Sequence, residues 1–584
     1  MSKLEEMRQQ NATQIPDHSP YMQRAESLRR QAAKEFTRAL HRAEKAATCS
    51  KPELAVEWCR YAALLAWKVN PGFFYSHELE QLLAEIGRSY LGPSSASPAE
   101  AEPPRCFLHV MSAAYVRGGH TRVVARWIET CAVHAPSEVH SILISMQKDV
   151  PLPEWLGHSA AKTGGEMIKL SPGLPWLQLA AELRSRSMEF DAIVLHIHPN
   201  DPLPNIAYYD QPRPVLFFRH ADHVFNLGLD VARVVADIRP LGRAMSVRFC
   251  AKTPRKVMLP LPLVDGGHIS RGKAEARKKL GLPGDAIIAL TIGEPYKFRP
   301  MHEYSFSALV KSLCEGNPRV FILAIGLSES DPFPGLGRSV GGRFMPVGVV
   351  ADRDLLELYY RAADVYMDAY PSGSLTAALD AALHGVPVQR FCVPNQCMLW
   401  PDAATLDPVM RADSNQDEYV ARVLEWLKWP EEKRLELGGR FRNAVLQDHC
   451  GASWKSKWLD PAIVALISPC DLLNSRPNGS QRDESDFPGL GKTALEGDSY
   501  ADMLITRILI DPEEYFPRPI RISGIFHSIK PLLFDTVGDG KARERLSMFR
   551  NLVASCVPMQ IRMQVRKIRG AIFRNSLHRS ESIR

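Results

Sequence analysis

The sequence predicts an α/β protein in which two consecutive βα domains face a cleft, preceded by a small all-α region. Three observations carry this. From about residue 105 the chain becomes a series of short apolar runs alternating with helical patterns, the texture of strands buried in a parallel sheet. The series occurs twice, on either side of a polar, Gly-containing connection at about 266–284. Before residue 92, apolar residues recur at helical spacing instead.

In order, residues 1–18 lack apolar periodicity and read as disordered. Residues 19–92 form a helical region of three segments, at about 20–47, 52–69 and 77–91, with Ser50 and Glu53 in capping-box spacing before the second. Residues 93–104, rich in Pro, Ala and Ser, read as a linker. The first βα domain, 105–265, carries strands at 106–111, 139–145, 190–197, 215–219 and 256–262. The second, 266–460, carries them at 286–293, 319–326, 343–347, 364–368 and 386–390, followed by an amphipathic helix pair. Residues 461–584 are an extension with a polar spacer and a basic tail.

Composition excludes several classes. No run of eighteen apolar residues occurs and the first residues are too polar for a secretory signal, so the expected location is cytoplasmic. Eleven scattered cysteines without a CxxC pair indicate neither a disulfide framework nor a zinc site. The net charge is +7, but residues 561–584 hold seven cations against Glu581 alone. The body of the chain is near neutral, so no nucleic-acid partner is expected. Whether the tail touches an anionic membrane face or is a plain solvated helix is open.

Candidate chemistry gathers at strand exits, where parallel sheets bind ligands. The 364–389 stretch runs from a strand through the small-residue turn Tyr370-Pro371-Ser372-Gly373-Ser374 into a helix from about Leu375. The open amide groups and positive dipole end of such a helix suit a phosphate. Asp380, about one and a half turns further on, is placed to accept hydrogen bonds from a ribose. Lys297, after the first strand of the same domain, can reach a phosphate as a point charge or serve as a solvated loop residue. In the first domain, Gly118 and Gly119 permit close backbone approach, and His120 at the helix start reads either as a general base or as a cap within its turn. His198 and the His220-Ala221-Asp222-His223 segment, also at strand ends, could line the acceptor side. Metal ligation there lacks a third ligand at defined spacing. Asp352-Arg353-Asp354 matches a metal–nucleotide string but reads better as a helix cap.

Together these residues resemble the GT-B fold of nucleotide-sugar glycosyltransferases, two Rossmann-like domains across a cleft, over about residues 105–458. Tyr296-Lys297-Phe298-Arg299-Pro300 resembles the YKxxP turn of glycosyltransferase family 41, the O-GlcNAc transferases. The 371–380 segment is similar to that of the bacterial cytoplasmic N-glucosyltransferases in that family. The resemblance implies an enzyme that transfers a sugar from a UDP-sugar to a protein or glycan acceptor, with no cofactor and no metal. It makes Lys297 a diphosphate ligand, Asp380 the ribose ligand, Ser374, Leu375 and Thr376 further diphosphate donors, and Gly348 and Val349 neighbours of the base. Ser374 and Leu375 depart from the family's Asn and Thr. Retaining family 4 enzymes carry two glutamates where this chain has Ser372 and Asp380, so an inverting reaction with His120 as base is expected. A retaining enzyme of surface polysaccharide synthesis and a non-catalytic GT-B-like scaffold are the alternatives.

Overall fold

The computed structural model describes residues 20–468 except 70, 72, 94–102, 117–118, 148–149, 211–212, 250–254, 267–271, 301–303, 330–332, 334 and 394–403. The start expected to be disordered, most of the linker, the basic tail and Gly118 lie outside the described residues. No described helix is long and apolar enough to cross a membrane.

Three helices, Pro20–Thr48, Pro52–Val69 and His77–Leu91, open the structure. Buried alanines (Ala39, Ala43, Ala55, Ala62, Ala63) let the first two approach closely. The helices share one core with the first sheet rather than closing their own: Leu108, Val110, Ile193, Leu195, Val215 and Phe217 pack against them. The alternate residues Phe107, Val194, Leu216 and Phe218 face the other side, as strand periodicity requires. The expected capping box is not formed. Ser50 turns through a left-handed φ of 55°, and the Glu53 carboxylate instead accepts from the backbone of Trp176 (2.8 Å) and Leu177 (3.0 Å). It thereby caps helix Trp176–Ser187, whose own N-cap, Pro175, makes no side-chain bond.

The first sheet has seven parallel strands in the order β3-β2-β1-β4-β5-β6-β7. These are β1 (Cys106–Met111), β2 (Val139–Ile144), β3 (Met167–Lys169), β4 (Ala192–His196), β5 (Val215–Arg219), β6 (Val234–Asp237) and β7 (Arg255–Met258). The second has five, in the order β10-β9-β8-β11-β12: β8 (Ile287–Ile292), β9 (Val320–Ile325), β10 (Phe344–Gly348), β11 (Val365–Met367) and β12 (Val388–Gln389). All the pairings are parallel. Strand order reverses at β1 and at β8, and there the crossover helices part and leave a crevice at the strand ends. The two crevices face each other. This is the two-domain α/β architecture the sequence predicts.

The domains are laced together at the hinge. Asp364, at the head of β11, pairs with Lys273 (2.9 Å), Arg277 (2.5 Å) and Arg434 (3.3 Å), tying the connecting helix Lys273–Lys279 to the second sheet and to helix Glu431–His449. The chain then returns. Leu263 donates to the His449 carbonyl (2.7 Å), and the Trp454 indole donates to the Pro260 carbonyl (2.7 Å). Helix Asp460–Ile467 lies against β6 and β7 of the first domain, where Arg233 holds the Ser468 carbonyl (2.7 Å).

Candidate active site

Between the opposed strand ends lies a cavity of about 360 Å³. Its second-domain wall is built from two strand-exit turns. After β8, a single 3₁₀ turn, Pro295–Phe298, buries Phe298 and turns Lys297 toward the cavity. The Lys297 ammonium donates to the Gly373 carbonyl at 2.6 Å, which joins it to the second turn. That turn is shaped by buried Asp368, which accepts from the Ala369 amide (2.9 Å), the Ser374 amide (2.8 Å) and the Ser374 hydroxyl (2.6 Å). Ser374 is thus committed to the turn, and its two donors are not available for the diphosphate role expected of it. Helix Thr376–Leu383 begins immediately afterwards with Leu375 at the N-cap and no side-chain cap. Its first amides are therefore left for a ligand.

The remaining donor-side residues follow. Gly348 ends β10 at a φ of 78°. Its carbonyl accepts from Gly326 (2.7 Å) and its amide donates to the Leu327 carbonyl (2.6 Å), so Val349, half exposed, is the residue that reaches the cavity. Asp380 lines the cavity one turn into its helix but is already engaged: Arg126, from the first domain, donates to it at 2.8 Å.

The first-domain wall is the start of helix Gly119–His134. Gly119 comes so close to the other domain that a Cβ there would stand 3.0 Å from the Thr376 hydroxyl oxygen. The starts of two helices thus line the same cavity, and the positive end of each favours an anion there. The rest of the anion-binding wall was not singled out from sequence. Arg122 and Arg126 line it one helical turn apart, and Arg353, Arg442 and Tyr360 complete it. Arg442 is held by Asp265 (2.8 Å). Among the described residues no carboxylate pairs with Lys297 or Arg122. The i, i+4 spacing of Arg122 and Arg126 after the paired glycines was a readable signal.

His120 sits beside this wall, half-buried. Its Nε2 lies 2.8 Å from the His196 carbonyl. A carbonyl only accepts, so Nε2 carries the proton and Nδ1 is the basic nitrogen. Its ring stacks on His220 at 4.1 Å, and burial lowers its pKa to about 4. His198 stacks on Tyr115, and burial lowers its pKa to about 3. Asp222 does not reach the cavity. Its carboxylate pairs with Arg239 (2.6 and 2.8 Å) beneath helix Pro240–Phe249 and makes only a 3.3 Å contact with His223. A carboxylate at a strand end serves a neighbouring cation as readily as a ligand. Asp352 caps helix Arg353–Ala362 through the Leu355 amide (3.0 Å), in the role expected of it.

The chain matches no protein-family model and no curated protein. Among solved structures it is similar to a Thermobaculum terrenum O-GlcNAc transferase, at 16% identity over 75% of this chain and 82% of that one, with a TM-score of 0.46. It is also similar to Anabaena HepE in complex with UDP and glucose, at 12% identity over 62% of this chain and 100% of that one, with a TM-score of 0.48. A lipopolysaccharide outer core galactosyltransferase, WaaB, matches at 13% identity over 61% and 99%, with a TM-score of 0.42. Likenesses of this size assign neither an activity nor a substrate.

Proposed function

We propose that this chain is a glycosyltransferase that moves a sugar from a UDP-sugar to a protein or glycan acceptor, with inversion and without a metal ion in the transfer step. One observation carries the reading. Two helix N-termini, Lys297 and Arg122, which has no carboxylate partner among the described residues, line a cavity whose wall also offers a ribose-suited carboxylate, Asp380. The diphosphate lies against the first amides of helix Thr376–Leu383 and the Lys297 ammonium, with Val349 beside the base and Asp380 on the ribose. Asp380 exchanges Arg126 for the ribose hydroxyls as the donor enters.

In the transfer, the acceptor oxygen or nitrogen attacks the anomeric carbon as the bond to the diphosphate breaks. Negative charge grows on the departing phosphate, where fixed dipoles and a cation already point. His120 Nδ1 takes the acceptor's proton. Its lowered pKa leaves it unprotonated at neutral pH, and its tautomer is held by the His196 carbonyl. Ser372 stands where a retaining enzyme of family 4 has its first carboxylate, which supports inversion.

The test is UDP binding by calorimetry and UDP-sugar turnover over a panel of sugars, with the anomeric configuration of the product read by NMR. Absence of binding and hydrolysis for every UDP-sugar, unchanged by Lys297→Ala, would leave the scaffold reading. A product of retained configuration would remove His120 as base.

A further inference from the structure

We propose that the first domain binds a zinc ion on Cys131, Glu138 and His140, at the end of helix Gly119–His134 away from the cleft. The ligand atoms of these three side chains lie within 4.8 Å of one another. Cys131 is fully buried and His140 nearly so, while Glu138 is partly exposed and opens a path for the ion. A thiolate, an imidazole and a carboxylate on one centre suit a borderline-soft dication, zinc first. The spacing, with Cys131 on a helix and the other two flanking the start of β2, belongs to none of the sequence patterns that announce zinc.

Two further observations mark this as more than a polar contact. The first is an oriented backing for the histidine. His140 Nδ1 lies 3.0 Å from His109 Nε2, and His109 Nδ1 lies 3.0 Å from His196 Nε2. A ligating imidazole that binds through Nε2 must carry its proton on Nδ1 and needs an acceptor there, which His109 supplies. His196 Nδ1, at the far end of this row, is buried and has no partner among the described residues, so the row can take either direction of proton placement. The second is charge. Glu138 turns one oxygen, Oε2, to His140 (3.2 Å), and the other, Oε1, to the Lys455 ammonium (3.7 Å). Asp460 already balances Lys455 at 2.6 Å. The Glu138 carboxylate and a Cys131 thiolate are then left to balance a dication.

Loading the site forms a sulfur–zinc bond and releases one proton, that of the Cys131 thiol. The His140 Nε2 proton leaves to solvent by way of the Glu138 carboxylate; His140 Nδ1 takes one from His109 Nε2, His109 Nδ1 takes one from His196 Nε2, and His196 Nδ1 takes one from solvent, so the row keeps its proton count and the net release is the thiol proton. Three protein ligands leave a fourth position for water. The ion clamps the last turn of the helix to the first residue pair of β2. From Gly119 to Cys131 the helix rises roughly 18 Å, so the site stands apart from the cleft and does not depend on the transferase reading.

The experiment uses the full chain, stripped with chelator, desalted and reloaded with zinc chloride or cobalt chloride. One equivalent of zinc retained through gel filtration is expected, with a thermal midpoint about 4 °C higher at a hundredfold excess over Kd. Cobalt is expected to give a thiolate charge-transfer band that Cys131→Ser abolishes and that Glu138→Gln and His140→Gln weaken. No retained zinc and no band in the unaltered chain overturns the proposal and leaves a hydrogen-bonded trio only. A band of undiminished intensity and unchanged affinity in both Glu138→Gln and His140→Gln also overturns it, because the metal then sits elsewhere. These two variants keep the buried thiol, so the result stands even where Cys131→Ser does not fold.

Discussion

Arg126 of the first domain and Asp380 of the second meet at 2.8 Å inside the cleft, each about one-sixth exposed. The ion pair ties the domains to each other at the position proposed for the ribose. Asp380→Asn removes both the tie and the ribose acceptor and is expected to weaken UDP binding about tenfold, the worth of one charge-assisted hydrogen bond. Arg126→Ala removes the tie alone and is expected to leave the UDP Kd within about threefold. Calorimetry on the two variants separates them; equal losses would show that Arg126 itself contacts the donor.

On the proposed reading, Lys297 holds the diphosphate. Lys297→Ala is expected to raise the UDP Kd by roughly ten- to a hundredfold while shifting uridine binding little, because only the diphosphate feels the charge. A Kd for UDP that stays within a factor of two would place the diphosphate elsewhere.

Close approach across the cleft gives a third test. A methyl group at Gly119 meets the Thr376 hydroxyl at 3.0 Å, so Gly119→Ala has to push the domains apart by a few tenths of an ångström or turn Thr376. The expected result is a fall in kcat/KM of about tenfold, roughly 1.4 kcal/mol, with the thermal midpoint within about 1 °C. Gly438→Ala behaves in the opposite way. A Cβ there overlaps the Gly385 carbonyl, where helix Glu431–His449 lies on the end of the donor helix. Backbone has no room to yield, and a loss of about 3 kcal/mol in urea unfolding is expected.

The pH dependence of stability follows from buried histidines. Burial lowers the pKa of His120 to about 4 and of His198 to about 3, and holds His196 and His220 well below the ordinary value. The unfolded chain protonates these rings below about pH 6.5, and the folded chain resists doing so. Stability is therefore full above that pH and falls as the pH drops toward 4, by about 1.4 kcal/mol per pH unit for each ring that is charged only when unfolded. Urea midpoints at pH 7.5 and 5.0 check this. A flat profile would mean that the rings are protonated in the folded chain.

Most of the strands were legible because buried parallel strands are written as unbroken apolar runs, such as Cys106–Met111 and Ile287–Ile292; their order in each sheet comes from the fold. Strands β3 and β6 were not: three or four residues are too few to show a pattern, and Val234–Asp237 is set among arginines and aspartates. The turns at Lys297 and Thr376 could be read as turns that meet at one cavity because both exit a strand into a short helix. Arg442 and Asp265, 177 positions apart, pair only through the fold. Asp222 misled for a physical reason: sequence shows a strand-end carboxylate but not that Arg239 claims it.

The return of the chain to the first domain has a mechanical consequence. The path crosses between the domains twice, and the two crossings are stitched side by side by the Leu263 amide and the Trp454 indole. A door hung on two pins swings about one axis and does not twist. Two crossings held side by side favour a swing about the line that joins them over a twist, and such a swing is the motion expected to part Gly119 from Thr376 and return them to the same register.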